Sequence, residues 1–99
     1  MEMNMMPVSD ATKAVIRDAM AEGLAPVRID RVEIRPDRDH DGEEVLQVVV
    51  VFESDKPAVD GRALLAASVM AQKALGAVDD SRFALIEYVT ASDADQAAE

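Results

Sequence analysis

Two neighbouring strand-like segments constrain the fold of this chain most. The first runs from Val27 to Arg35, and the second runs from Val45 to Phe52 after an acidic turn. Apolar residues lie on one side of the first segment, whereas the second is apolar on both sides, which is typical of a strand with both faces covered. A chain of 99 residues has material for one hydrophobic core. The second strand is therefore covered either by the chain itself or by a protein partner.

The first strand is predicted to lie at the edge of a sheet. Val27 and Ile29 are out of phase with Val32 and Ile34, which indicates a bulge near Asp30. Charged residues at the edge of a sheet discourage pairing with a second molecule. The outward residues of this strand are charged: Arg28, Arg31, Glu33 and Arg35.

The second strand, at about Glu44 to Glu53, is predicted to be central because both of its faces are largely apolar. One face carries Leu46, Val48, Val50 and Phe52, and the other carries Val45, Gln47, Val49 and Val51. A third strand with an alternating pattern is predicted from Arg82 to Thr90.

Two amphipathic segments predict helices. Ser9 or Asp10 can cap the first helix, and Gly23 is predicted to end it in the left-handed conformation. Asp60 can cap the second helix, which runs to about Leu75 with Gly76 at its C-terminal end. The many alanines of the second helix permit close packing on a sheet.

The predicted element order is helix, strand, strand, helix, strand. A helical crossover makes strand three parallel to strand two under the right-handed rule. The predicted fold is therefore α+β, with a three-stranded mixed sheet and two helices on one face. We expect a single domain over residues 9–90, with a flexible N-terminal segment at 1–8 and a flexible C-terminal tail at 91–99.

The face of the sheet without helices is the predicted interaction surface. Strand three contributes Ile86 and Tyr88 to this face, or the residues that alternate with them. The predicted interface residues are Val45, Val49, Val51 and Tyr88. Left in water, these side chains would expose on the order of a few hundred Å² of apolar surface, the upper range for monomers. The alternative is that the first helix or the N-terminal segment covers this face within a monomer.

The turn between strands one and two has two interpretations. Asp37, Asp39, Asp41 and Gly42 match the first half of a calcium-binding loop. The twelfth loop position, which should be a bidentate glutamate, is Val48, and a strand follows instead of a helix. Asp and Gly are also preferred in hairpin turns, so we interpret the segment as an exposed acidic turn without a metal. A small metal-binding or metal-dependent domain is the alternative.

Composition excludes several classes of function. The chain has no cysteine and a single histidine, and no serine has a histidine partner for nucleophilic catalysis. We therefore expect no enzyme activity and no cofactor. A formal net charge of −10 repels nucleic-acid phosphates and favours a basic protein partner. The N-terminus lacks the pattern of a signal peptide, and no apolar run is long enough to span a membrane, which predicts a cytoplasmic protein without DNA or membrane partners.

The predicted element order resembles that of type II KH domains and of the ribosome-binding factor A family, whose members bind RNA. The Leu75-Gly76-Ala77 segment is similar to the A-x-G interruption in the ribosome-binding factors. The chain has no G-x-x-G loop, and its charge is negative. An RNA-associated factor is what this resemblance implies.

Three short motifs carry a second resemblance, over about residues 27–92. They are Asp39-His40-Asp41-Gly42, the valine-rich strand from Val45 to Phe52, and the segment from Asp79 to Ile86 that contains Arg82-Phe83. In these the chain resembles small acidic bacterial proteins without an established activity, some of which are suspected of pairing with a neighbouring gene product, as antitoxins do. We therefore expect a non-enzymatic protein–protein interaction module, self-associating as a homodimer or acting as the antitoxin-like partner of a basic protein.

Overall fold

The element order in the computed structural model, which describes residues 6–97, confirms the predicted α+β fold. The elements are α1 (Asp10–Leu24), β1 (Ile29–Arg38), β2 (Glu44–Phe52), α2 (Gly61–Ala77), β3 (Phe83–Val89) and α3 (Ala91–Ala97). The five predicted elements are present, and α3 is added to them.

The sheet has the order β1-β2-β3. β1 and β2 pair antiparallel as a hairpin, and β3 runs parallel to β2 after the α2 crossover. The edge position of β1 and the central position of β2 are therefore confirmed. The register between β1 and β2 shifts between Ile29 and Arg31, which confirms the bulge predicted from the change of phase.

Both predicted helix caps are present. The Ser9 side chain accepts a hydrogen bond from the Thr12 backbone N–H, and the Asp60 side chain accepts one from the Ala63 N–H. The prediction that Gly23 adopts the left-handed conformation is wrong, because within the described residues positive φ angles occur only at Gly42 and Asp79. A Cβ at Gly23 would lie 3.0 Å from the Ala67 Cβ, so this glycine allows α1 and α2 to pack closely.

The hydrophobic core lies between the two long helices and one face of the sheet. β2 contributes Leu46, Val48, Val50 and Phe52, which are at most 3% exposed. α1 contributes Ile16, Met20 and Leu24, and α2 contributes Ala67, Ala71 and Leu75. The small alanines of α2 lie within this core, and both helices cover the same face of the sheet, as predicted.

The described residues at both ends of the chain form hydrogen bonds with the rest of the domain. Residues 1–5 of the N-terminal segment lie outside the described residues, whereas the carbonyl groups of Met6 and Pro7 accept hydrogen bonds from Arg82. At the other end, α3 begins at Ala91, and the backbone N–H and the hydroxyl of Ser92 donate to the two Asp55 carboxylate oxygens, both at 2.8 Å. Both bonds lower the pKa of Asp55, and the bond from the Ser92 backbone N–H has the larger effect.

Candidate functional site

The face of the sheet opposite α1 and α2 is the candidate functional site, and we call it the open face. Strand pairing determines its residues, because side chains alternate between faces and paired residues share a face. β1 contributes Arg31, Glu33, Arg35 and Asp37, β2 contributes Val45, Gln47, Val49 and Val51, and β3 contributes Phe83, Leu85, Glu87 and Val89. The open face is thus charged along β1 and mainly apolar along β2 and β3.

The three predicted interface valines lie on the open face but are not equally accessible. Val45 and Val51 are already buried within the protein, at 3% and 2% exposure, whereas Val49 is half-buried. α3 contacts β2, and its Asp93 and Ala94 line a groove of about 350 Å³ together with Val49 and Val51. The C-terminal helix therefore covers one end of the open face.

The prediction that Tyr88 belongs to the open face is wrong. Tyr88 pairs with Val50 in the sheet, so its side chain points towards the helices. Its hydroxyl donates to the Leu64 carbonyl at 2.9 Å and lies 2.8 Å from the Ser68 hydroxyl, and its ring stacks on Phe52 with centroids 6.1 Å apart. Burial raises the pKa of Tyr88. The phenol has partners in α2 that the open face does not offer.

Phe83 and Leu85 take the place of Tyr88 on the open face. Phe83 is 58% exposed, which is unusual for a large aromatic side chain, and Leu85 is half-buried. Both lie at the end of the face that α3 leaves uncovered. With Val49 they form an accessible apolar stripe.

Beside the apolar stripe, β1 carries charges of alternating sign along the open face. From one end of β1 to the other, the order is Arg31, Glu33, Arg35 and Asp37. The Arg31 guanidinium pairs with Glu33 at 2.7 Å and also contacts Asp30. Asp37 accepts a hydrogen bond from the Gln47 side-chain amide across the strands. Arg35, between the two acidic residues, belongs to none of these pairs.

The acidic turn is organised by its own backbone. One oxygen of Asp39 accepts hydrogen bonds from the N–H groups of Asp41 and Glu43, both at 2.9 Å, and Gly42 has a φ angle of 84°. These bonds are typical of an aspartate that closes a hairpin turn. Asp37 points onto the open face instead. Within the described part of the chain, no three His, Cys, Asp or Glu side chains are placed to hold a metal ion.

His40 is at the tip of this turn. Its side chain is 91% exposed, and its Nε2 lies 3.7 Å from an Asp41 carboxylate oxygen. A contact of this length in water provides little orientation for catalysis. The turn therefore supplies exposed negative charge to the surface of the molecule.

A buried ion pair between Asp80 and Arg82 was not predicted from the sequence. Their side chains are 8% and 7% exposed, and Arg82 donates from Nη2 to one Asp80 oxygen at 2.7 Å and from Nε to the other at 2.9 Å. Thr12 donates its hydroxyl to the same carboxylate. Hydrogen bonds from Arg82 lower the pKa of Asp80. The available signal was the Asp-x-Arg spacing within the motif at residues 79–86.

This ion pair has a structural role. It joins the start of β3 to the N-terminal end of α1, and the Met6 carbonyl accepts from Arg82 Nη1 at 2.6 Å. The donors of the guanidinium and the acceptors of the carboxylate are directed at one another and at the backbone. Asp80 and Arg82 therefore stabilise the fold beside the open face and present no free group to a substrate.

Comparison with known proteins adds no further evidence. No protein-family model, curated protein or solved structure matches this chain. Among the described residues, no helix has the length and apolar character needed to cross a membrane. The functional argument therefore depends on the geometry of the open face.

Proposed function

We propose that this chain is a non-enzymatic protein–protein interaction module that self-associates through the open face. One observation carries the proposal: Phe83 is 58% exposed beside the half-buried Leu85 and Val49, on a face that α3 covers only at one end. An apolar stripe bordered by charged residues is typical of a protein interface.

The expected strength of this association follows from the accessible apolar area. Burying Phe83 and Leu85 in both copies would remove on the order of 300 Å² of apolar surface from water. At about 25 cal/mol per Å², this burial stabilises the dimer by about 7 kcal/mol. Association costs about 4 to 15 kcal/mol in lost freedom of motion. The proposed dimer is therefore weak and reversible, and its formation depends on protein concentration.

The charges of β1 favour a second copy of this chain as the partner. Two such faces can stack about a two-fold axis that runs across the strands. The open-face residues at one level of the three strands then lie opposite those at the next level in the other copy. Arg35 then lies opposite Asp37 of the second copy, and Leu85 lies opposite the second copy's Phe83. α3 is at the far end of the face, over Val51, and leaves room for this overlap.

A basic protein is a further partner of the same module, in an antitoxin-like role. The net charge of −10 supports it, and so does the turn, where acidic side chains cluster near one end of the open face. The acidic residues of this segment are Asp37, Asp39, Asp41, Glu43 and Glu44. We place this activity in the cytoplasm and expect no binding to DNA.

Sedimentation velocity of wild-type protein and of Phe83→Lys tests the proposal. A lysine in the contact would have to lose its hydration on association, so we expect the variant to associate through the open face more weakly than the wild type. Ala21→Lys on the exposed side of α1 is the matched control. Circular dichroism verifies that both variants keep the wild-type fold.

Charge reversal on β1 tests the orientation of the two copies. Arg35→Glu should weaken association because two carboxylates then face each other. Combining Arg35→Glu with Asp37→Arg restores opposite charges across the contact and should recover part of the affinity. A monomeric wild type that binds no second copy would contradict self-association, and failure of the double variant to recover would contradict the antiparallel arrangement.

A further inference from the structure

The outer edge of β3 is occupied at its start by a single side chain. Gln72 of α2 donates from Nε2 to the Arg82 carbonyl at 3.1 Å, and its Oε1 accepts from the Ala84 N–H at 2.9 Å. These are the two hydrogen bonds that a neighbouring strand would make with this part of β3. Gln72 therefore takes the place of an additional strand over a short stretch of the edge.

Beyond Gln72, the edge of β3 is open. Backbone groups of successive strand residues point in opposite directions, and the Ala84 N–H points away from β2. The N–H and C=O groups of Ile86 and Tyr88 therefore point away from β2 as well. Within residues 6–97 no strand pairs with this edge of the sheet.

The two edges of the sheet differ in how they are protected from pairing. β1 has Pro36, a bulge after Ile29 and a charge at every open-face position, all of which oppose the addition of a strand. β3 has the sequence Phe-Ala-Leu-Ile-Glu-Tyr-Val, with one charge and no proline. A β-rich apolar edge of this kind is a template for another strand.

Exposed apolar side chains of α2 lie beside the same edge. Leu65 and Val69 are 67% and 46% exposed, and their spacing to Gln72 places all three on one side of the helix. Gln72 meets the start of β3, whereas Ser68 meets Tyr88 near its end, so α2 runs antiparallel to β3. Val69 therefore lies alongside the middle of the strand, and Leu65 lies nearer its end.

We propose that β3 pairs antiparallel with β3 of a second copy, which joins two three-stranded sheets into one sheet of six strands. The residues whose backbone N–H and C=O groups point away from β2 must pair with one another. A two-fold axis at Ile86 places each Ile86 opposite its counterpart and Ala84 opposite the second copy's Tyr88. Ile86 and Ala84 then gain backbone partners, and the Gln72 side chain gives up the Ala84 N–H to the Tyr88 carbonyl of the second copy.

Two observations select a second copy and this register. The axis at Ile86 brings the two antiparallel α2 helices side by side, with their exposed Val69 side chains nearest the axis. It also sets Glu87 opposite Leu85 of the second copy, whereas a shift of one hydrogen-bonded pair towards Tyr88 would oppose two Glu87 carboxylates. This contact goes beyond the proposed function, because it uses the edge of the sheet and leaves the open face free.

The test compares Val69→Lys with Ala21→Lys by sedimentation equilibrium of the full chain. Both positions are exposed, but Ala21 is on α1, which packs on α2 and β1 and lies away from the β3 edge. We expect Val69→Lys to raise the dissociation constant about tenfold or more, since two lysines then meet at the axis. Ala21→Lys should leave the constant unchanged. Equal effects of the two variants, or a monomeric wild type, would overturn the proposal.

A second measurement separates this contact from association through the open face. Arg35→Glu, on the opposite edge of the sheet, should leave edge pairing intact, and a dimer lost in this variant but kept in Val69→Lys overturns the edge proposal. The chain has no cysteine, so a single Val69→Cys provides a direct check. We expect Val69→Cys to form a disulfide-linked dimer on mild oxidation and Ala21→Cys to form no such link, and the reverse result would refute the proposed axis.

Discussion

Replacement of Asp80 by asparagine should destabilise the fold more than any other loss of a single negative charge. The Asp80 carboxylate is 8% exposed and accepts hydrogen bonds from Arg82 Nε and Nη2 and from the Thr12 hydroxyl. Asparagine has nearly the same shape, but its NH₂ group would face a donor. The Arg82 guanidinium would also be buried without a counter-ion.

The expected loss follows from the cost of breaking a buried ion pair. Removing one partner of such a pair typically costs about 3 to 5 kcal/mol, because the remaining charge is not compensated. We expect about 3 kcal/mol for Asp80→Asn, since the Met6 and Pro7 carbonyls still accept from Arg82. A change of this size would lower the melting temperature by about 15 °C for a domain of this length.

The dependence on pH provides a second signature. The pKa of Asp80 is lowered in the folded protein, mainly by the side-chain hydrogen bonds from Arg82. Its contribution to stability is therefore present above the unfolded-state pKa and is lost as the pH falls through the folded-state value. The difference in unfolding free energy between wild type and Asp80→Asn should be largest near pH 7 and should shrink below about pH 4.

Urea unfolding at several pH values measures both quantities. Asp79→Asn is a matched control, because the neighbouring Asp79 is exposed and has a φ angle of 58°, which asparagine also tolerates. We expect the control to change stability by less than about 0.5 kcal/mol. An Asp80→Asn variant as stable as this control, or a difference that does not vary with pH, would refute the structural role of the ion pair.

Two further predictions concern packing. Val48→Ala should cost about 2 kcal/mol in urea unfolding, because Val48 is fully buried under the helices, whereas Val49→Ala on the open face should cost clearly less; equal losses would contradict the assigned faces. Gly23→Ala should destabilise the protein by about 1 kcal/mol despite the higher helix propensity of alanine, because the new methyl group would lie 3.0 Å from the Ala67 Cβ and 3.2 Å from the Met70 sulfur. A more stable Gly23→Ala variant would show that the two helices separate at little cost.

The features that the sequence predicted correctly have local physical causes. The Ser9 and Asp60 caps depend on residues within one helical turn, and the bulge near Asp30 follows from the change of phase between Ile29 and Val32. The central position of β2 follows from its two apolar faces, which no edge strand needs. Element order and the crossover rule then determine that β3 runs parallel to β2.

The composition of the open face depended on tertiary packing. Phe83, Leu85 and Val89 alternate with Ala84, Ile86 and Tyr88, and either set could have faced the helices on hydrophobicity alone. The set that contains Tyr88 faces the helices because the Leu64 carbonyl and the Ser68 hydroxyl of α2 bind the Tyr88 phenol. Ala84 is small enough to be buried on this side of the sheet. The predicted interface therefore included Tyr88 and lacked Phe83.

The sequence by itself determined the caps, the bulge, the strand types and the element order, because each depends on neighbouring residues or on a chain rule with few exceptions. Only the tertiary structure decided that Gly23 serves helix packing, that Asp80 and Arg82 form a buried pair, and that Gln72 occupies the start of the β3 edge. These features join residues from different elements, and the relative positions and orientations of those elements are set only when the helices pack on the sheet. A hydrogen bond or a close contact requires placement within a fraction of an ångström, and periodicity along a chain does not specify placement between elements.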